Sequence, residues 1–203
     1  MASKKTNDRN PPQSPRYIHI YSDSRLVYGV SHDLVEMLLS EANKCIQNLD
    51  SYYFGDLSFN SCESMPNQEL MLYFAAFALG TLSIKSIVPF VPSTELGEAL
   101  FHQAQNNLKD RWDTLEFQDI PALALMALYL TAVDQQPKAS ILLSHALSIC
   151  CLQGRLKNLR RQEKDIRIVW TVICLAKETA NLMEQPFMYA DEAFQLPRPQ
   201  DVL

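Results

Sequence analysis

Four histidines, five cysteines and a few acidic pairs are the residues of this 203-residue chain that could do chemistry, and their spacing argues against it. His19, His32, His102 and His145 stand in no HxxxH or HExxH relation that would set two imidazoles on one helical face. Ser31-His32 and Ser144-His145 are adjacent pairs, and neighbours on a helix do not face each other. No GxSxG elbow supplies a serine nucleophile, and neither GxxxxGK[ST] nor GxGxxG supplies a phosphate cradle. Cys45, Cys62, Cys150, Cys151 and Cys174 are odd in number and contain no CxxC, so metal-ligand spacing is missing. Reduced thiols in an intracellular protein are the expectation. Asp191 and Glu192 lie in NLMEQPFMYADEAFQLPRP (181–199) without a base, nucleophile or metal partner. These patterns predict no enzyme, and no catalytic, metal-binding or cofactor-binding residues.

One local cluster of positive charge breaks an otherwise acidic balance. Lys157, Arg160, Arg161 and Lys164 fall within eight residues of a chain whose net charge is −5. Two readings stand side by side: a basic contact or nuclear-import patch, and a solvated bridge between helices with Glu163 and Asp165 beside it. A chain that binds nucleic acid by itself carries a broader basic face than this, so no direct DNA binding is expected.

The elements that would position such groups are helices. Only five glycines occur, 47% of the residues are hydrophobic, and no long stretch alternates apolar with polar residues. Residues 1–30 read as a disordered or extended tail. Pro11, Pro12 and Pro15 lie in its polar first half, and YIHIYSD is a short extended piece with no partner fixed. From Ser31, a plausible N-cap, Leu34, Leu38, Cys45 and Leu49 recur near one face of a first helix. The segment 67–84 is apolar nearly all round, which means burial, and Tyr73, Phe74 and Phe77 form a core stripe in it. Its apolar run from Leu70 to Ile84 is too short, and too interrupted by Gly80, Thr81 and Ser83, for a membrane span.

Ser93 caps a third helix with Leu100, Phe101, Ala104 and Leu108 in register, and Asp119 with Pro121 opens a fourth. Pro137 opens a fifth, which Gly154 closes. The sixth repeats Ile166, Val169, Trp170, Ile173, Ala176, Ala180 and Met183 until Gln185-Pro186 stops it, because a residue before proline is pushed out of the helical region. Leu100, Phe101 and Ala104 echo in Leu142, Leu143 and Ala146, a repeat of helix pairs that suggests stacked α-hairpins. The fold class predicted is all-α, with about six to eight packed helices over residues 31–203.

The order QELMLYFAAFALGTLS, ELGEALFHQAQNNL, IPALALMALYLTAV, ASILLSHALSICCLQGRL and EKDIRIVWTVICLAKETANLMEQPFMYADEAFQLPRPQ resembles the regulatory middle homology region of fungal binuclear zinc-cluster transcription factors. Trp170, Pro186, Leu196, Pro197 and Pro199 match its closing motif. Where that motif has glycine-arginine before proline, this chain has Glu184-Gln185, and of its arginine-rich lead-in only Arg167 remains. The resemblance implies a non-catalytic domain in transcription control, nuclear rather than cytoplasmic, acting through partner proteins of the transcription machinery or a small-molecule effector. It implies further helices after Leu203. Zinc would enter only with a six-cysteine cluster upstream, since none is present here. The rival expectation is a generic α-hairpin adaptor or scaffold unrelated to transcription.

Overall fold

The computed structural model describes residues 17–22, 25–47, 67–84, 93–155 and 163–187. Six α-helices make up the body among these residues: α1 (His32–Gln47), α2 (Asn67–Thr81), α3 (Ser93–Arg111), α4 (Ile120–Ala132), α5 (Gln136–Arg155) and α6 (Glu163–Leu182). The all-α architecture predicted from periodicity is the one observed. Ahead of it, β1 (Tyr17–Ser22) pairs antiparallel with β2 (Arg25–Ser31), with Tyr17 opposite Ser31 and a register shift between Ile20 and Tyr21. The partner that YIHIYS lacked in the sequence is therefore the RLVYGVS segment, and β1 lies against α3 while β2 meets α1.

Helices adjacent in sequence pack on one another, α1 on α2, α2 on α3, α4 on α5 and α5 on α6. The α2–α4 and α4–α6 contacts join these pairs into one array. The two all-round apolar helices are its centre. In α2, Met71 and Tyr73 to Leu79 are buried, with Phe74 and Phe77 edge to face at 6.4 Å between centroids. In α4, Ile120 to Ala127 and Tyr129 to Leu130 are buried. Each Leu, Ile or Met so enclosed contributes about 1.5–3 kcal/mol relative to exposure, and only a layer with helices on several sides can enclose them all. Leu100, Phe101, Ala104 and Leu108 of α3 are buried as predicted, as are their echoes Leu142, Leu143 and Ala146 in α5.

Three local expectations are corrected. The core face of α1 is Val35, Leu38, Leu39 and Ala42, an i, i+3, i+4, i+7 set; Leu34 and Cys45 are half-buried at its margin, and Leu49 lies outside the described residues. Both stripes are apolar on paper, and the approach of α2 selects between them. Gly154 does not close α5, which runs one residue further to Arg155. The proline does not stop α6 either. The helix ends at Leu182, where Gln185 N–H donates to the Ala180 carbonyl at 2.9 Å and Glu184 N–H to the Asn181 carbonyl at 3.1 Å. This is a Schellman turn, and it places Glu184 in the left-handed region at φ 54°. The α4 end repeats it, with Gln135 on Leu130, Asp134 on Thr131 and Asp134 at φ 58°.

A side chain in that region costs roughly 1–2 kcal/mol, a cost glycine escapes at the expense of a floppier unfolded chain. Glu184→Gly is therefore expected to raise stability by about 0.5–1 kcal/mol, read as a higher urea midpoint at unchanged slope.

Candidate functional site

The residues singled out from the sequence are scattered rather than assembled. Lys164 is exposed in the first turn of α6, while Lys157, Arg160 and Arg161 lie outside the described residues. Trp170 is half-buried and packs against the core, as its place among Ile166, Val169 and Ile173 predicted. Pro186 is exposed just past the Schellman turn; Leu196, Pro197 and Pro199 lie outside the described residues. His102 Nδ1 sits 3.0 Å from Gln105 Oε1 on the exposed side of α3. His145 is stacked on Trp112, centroids 4.3 Å apart and planes at 26°. Neither imidazole is aimed at a nucleophile. Among the described residues no group of three or more His, Cys, Asp or Glu could hold a metal, and no helix is long and apolar enough to cross a membrane.

Among the described residues two ionisable groups have clearly shifted affinities for protons, and both hold the neutral form. Burial, with Glu178 adding to it and Lys177 opposing it, pushes the Cys174 thiol up, so the thiolate that would act as nucleophile is disfavoured. Burial, reinforced by Glu98, pushes the Tyr129 hydroxyl up to about 12. Tyr129 stacks on Phe101 at 5.0 Å and so helps join α3 to α4. Below pH 10 this phenol is neutral in both folded and unfolded chain. Between about 10 and 12 the unfolded chain ionises first, so stability falls as pH rises through that window. Tyr129→Phe should leave stability at pH 7 nearly unchanged and flatten that alkaline loss, as followed by urea midpoints from pH 8 to 11.5.

What the structure does assemble is a groove between α5 and α6. Ser140, Leu143, Ser144 and Leu147 line one side, Ala176 and Ala180 the other, and Gln185, Pro186 and Phe187 close one end. Its cavity is ≈ 50 Å³, room for a few waters and far below the several hundred Å³ of a cofactor site. Small side chains on both helices allow their close approach. The chain leaving α6 is held there by the Phe187 ring, which packs against the core and lies 5.4 Å from Lys177 Nζ. Such a cation–π contact contributes about 0.5–1 kcal/mol at an exposed site.

A second surface lies on α5 itself. Ile141 and Leu152 are 63% and 67% exposed, and with His145 and Ser148 they follow helical spacing along one face, beside Trp112. Comparison with models of known protein families, with characterised proteins and with solved structures gives no match.

The sequence assigned the stop of the sixth helix to Gln185-Pro186. The left-handed Glu184 and the Lys177–Phe187 contact were missed. The first leaves no mark in a residue that is not glycine, and the second joins positions ten apart across a turn.

Proposed function

We propose that the chain is the regulatory domain of a fungal transcription regulator of the zinc-cluster type, non-catalytic, and controlling transcription through partner proteins or an effector. The observation that carries this reading is the backbone at Glu184. The family motif resembled by the α6 exit has glycine-arginine-proline, and the position matching that glycine has φ 54° here, a conformation glycine adopts without strain. Left-handed residues close many helices, α4 at Asp134 among them; what supports the reading is that this one falls where the resembled motif has its glycine. The helix order from α2 to α6 and the half-buried Trp170 agree with the same reading.

In this reading the helical body offers one of two surfaces, and an effector or partner shifts the balance only by its differential affinity for them. The basic run Lys157, Arg160, Arg161 and Lys164 serves import, and DNA is read by another module or another chain. The chain fused to a heterologous DNA-binding domain should change transcription of a fungal reporter several-fold, and the tagged chain should be nuclear. Arg160→Ala with Arg161→Ala should shift it toward the cytoplasm. A silent reporter with a fully folded fusion would overturn the proposal. The exposed Ile141–Leu152 face favours the second reading, an α-hairpin adaptor outside the nucleus; the same tagged chain, found in the cytoplasm, would select it.

A further inference from the structure

We propose that the exposed face of α5 is a homodimer contact, on which α5 of a second copy of this chain lies antiparallel across a twofold axis. Ile141, His145, Ser148 and Leu152 follow one another at spacings of four, three and four along the helix. That alternation is the seam of a two-helix coiled contact, whose repeat is 3.5 residues. The body of the domain does not fill this seam. Ile141 and Leu152 are 63% and 67% exposed, while Leu142, Leu143, Ala146, Leu147 and Ile149 of the same helix are buried. Trp112, 40% exposed, stacks on His145 and widens the patch to one side.

Charge, size and area select a second copy as the occupant. From Ala139 to Leu152 the helix carries no Asp, Glu, Lys or Arg, so the strip offers nothing to hold a charged partner in register. A twofold axis between His145 and Ser148 brings the strip onto itself. It sets Ile141 against Leu152 of the second copy at both ends, and each His145 ring against a small Ser148. Apolar meets apolar and large meets small, as close helix packing requires. Parallel pairing would set imidazole on imidazole and leave a gap between serines. Three turns of paired helix with the two Trp112 rings hide roughly 800–1,000 Å² in total, below the ~1,200–2,000 Å² of a stable complex. The dimer is therefore weak and concentration-dependent. The first charges beyond the strip are Lys138, which is exposed, and Arg155, and each copy carries a net charge of −5. Like charges thus oppose association at the ends of the seam and between the bodies, and salt relieves both.

Sedimentation velocity on the full chain, from about 5 to about 500 µM, tests the contact, and neither functional reading above is needed for it. The wild type is expected to pass from monomer to dimer across that range, with a midpoint of roughly 100 µM for so small an interface. The midpoint should fall about two- to threefold when salt rises from about 0.05 to about 0.5 M. Ile141→Lys and Leu152→Glu should each weaken association by about tenfold or more. Both positions are solvent-exposed, so each variant, when dilute, should unfold within about 2 °C of the wild type. Mixed in equal amounts, the two variants should recover association to within about threefold of the wild type. The antiparallel register sets the altered position 141 of one chain against the altered position 152 of the other, and leaves the apolar pair intact at the far end. A wild type still monomeric at about 500 µM would overturn the proposal and leave the face to another partner. A dimer that both substitutions leave intact, or a mixture no better than the single variants, would overturn it as well.

Discussion

Asp119→Ala is expected to destabilise the chain by about 3 kcal/mol, the mid-range for breaking a buried ion pair from one side. The Asp119 carboxylate is wholly buried at the start of α4 and takes three donors. Arg111 Nη1 and Nη2 reach it as a fork at 2.6 and 3.1 Å, and the Glu116 backbone N–H donates to it at 2.8 Å. The Asp119 N–H in turn donates to the Glu116 carbonyl at 3.0 Å. The pair closes the link between the last turn of α3 and the first of α4 across two short 3-10 turns, Trp112–Thr114 and Phe117–Asp119. Removing the acid leaves a guanidinium with only 19% of its side chain in water and an orphaned backbone donor.

For a chain of this size the loss should lower the midpoint of thermal unfolding by about 6–12 °C. The double variant with Arg111→Met should recover part of it, because the uncompensated charge goes with the arginine. Urea unfolding of the wild type, both single variants and the double gives the coupling directly. A double variant no better than Asp119→Ala alone would show that the backbone donor, not the charge, dominates.

Gly80→Ala is expected to cost about 2–3 kcal/mol, although alanine is the better helix former by about 1 kcal/mol in an open helix. A Cβ at position 80 would land on the Leu38 carbonyl oxygen and 3.0 Å from its carbonyl carbon. These are backbone atoms of α1, so no rotamer change relieves the clash; the two helices must separate and unpack Leu38 and Phe77. Gly97 is the instructive contrast. A Cβ there meets the Thr81 side-chain hydroxyl, with the Tyr129 hydroxyl at 3.1 Å, and side chains can give way. Gly97→Ala should cost less than Gly80→Ala, and Thr81→Ala should rescue it. No second substitution at position 38 should rescue Gly80→Ala, since every residue carries the same carbonyl. Urea midpoints of the four variants separate the cases.

These two positions also mark where reading the chain succeeds and where it stops. Asp119 with Pro121 was legible as a helix start, and α4 does begin at Ile120 with proline in its first turn, although the Asp119 side chain makes no cap bond there and turns back to Arg111 and Glu116. Its partner Arg111 was not, because the fork closes only when two 3-10 turns bring the end of α3 back to the start of α4. Gly80 looked like an interruption of an apolar run, sufficient to argue against a membrane span. That it is the contact point of α1 and α2 depends on where another helix passes.

The same division holds along α1, where Leu34–Cys45 and Val35–Ala42 are rival apolar stripes and packing chose the second. It holds again at the α6 exit. Proline there gave away a helix end, and the real stop is a left-handed glutamate two residues earlier.

What the sequence determined by itself was the set of helices, their order, and the burial of α2 and α4 on most sides. Those properties follow from periodicity and from breakers that act within one or two turns. The tertiary structure alone decided which stripe of α1 faces inward, which glycine admits a neighbouring backbone, which arginine closes on Asp119, and that Phe187 folds back over the α5–α6 groove. Each of these is a meeting of residues from different turns or helices, and local propensity carries no information about which surfaces the chain will bring together.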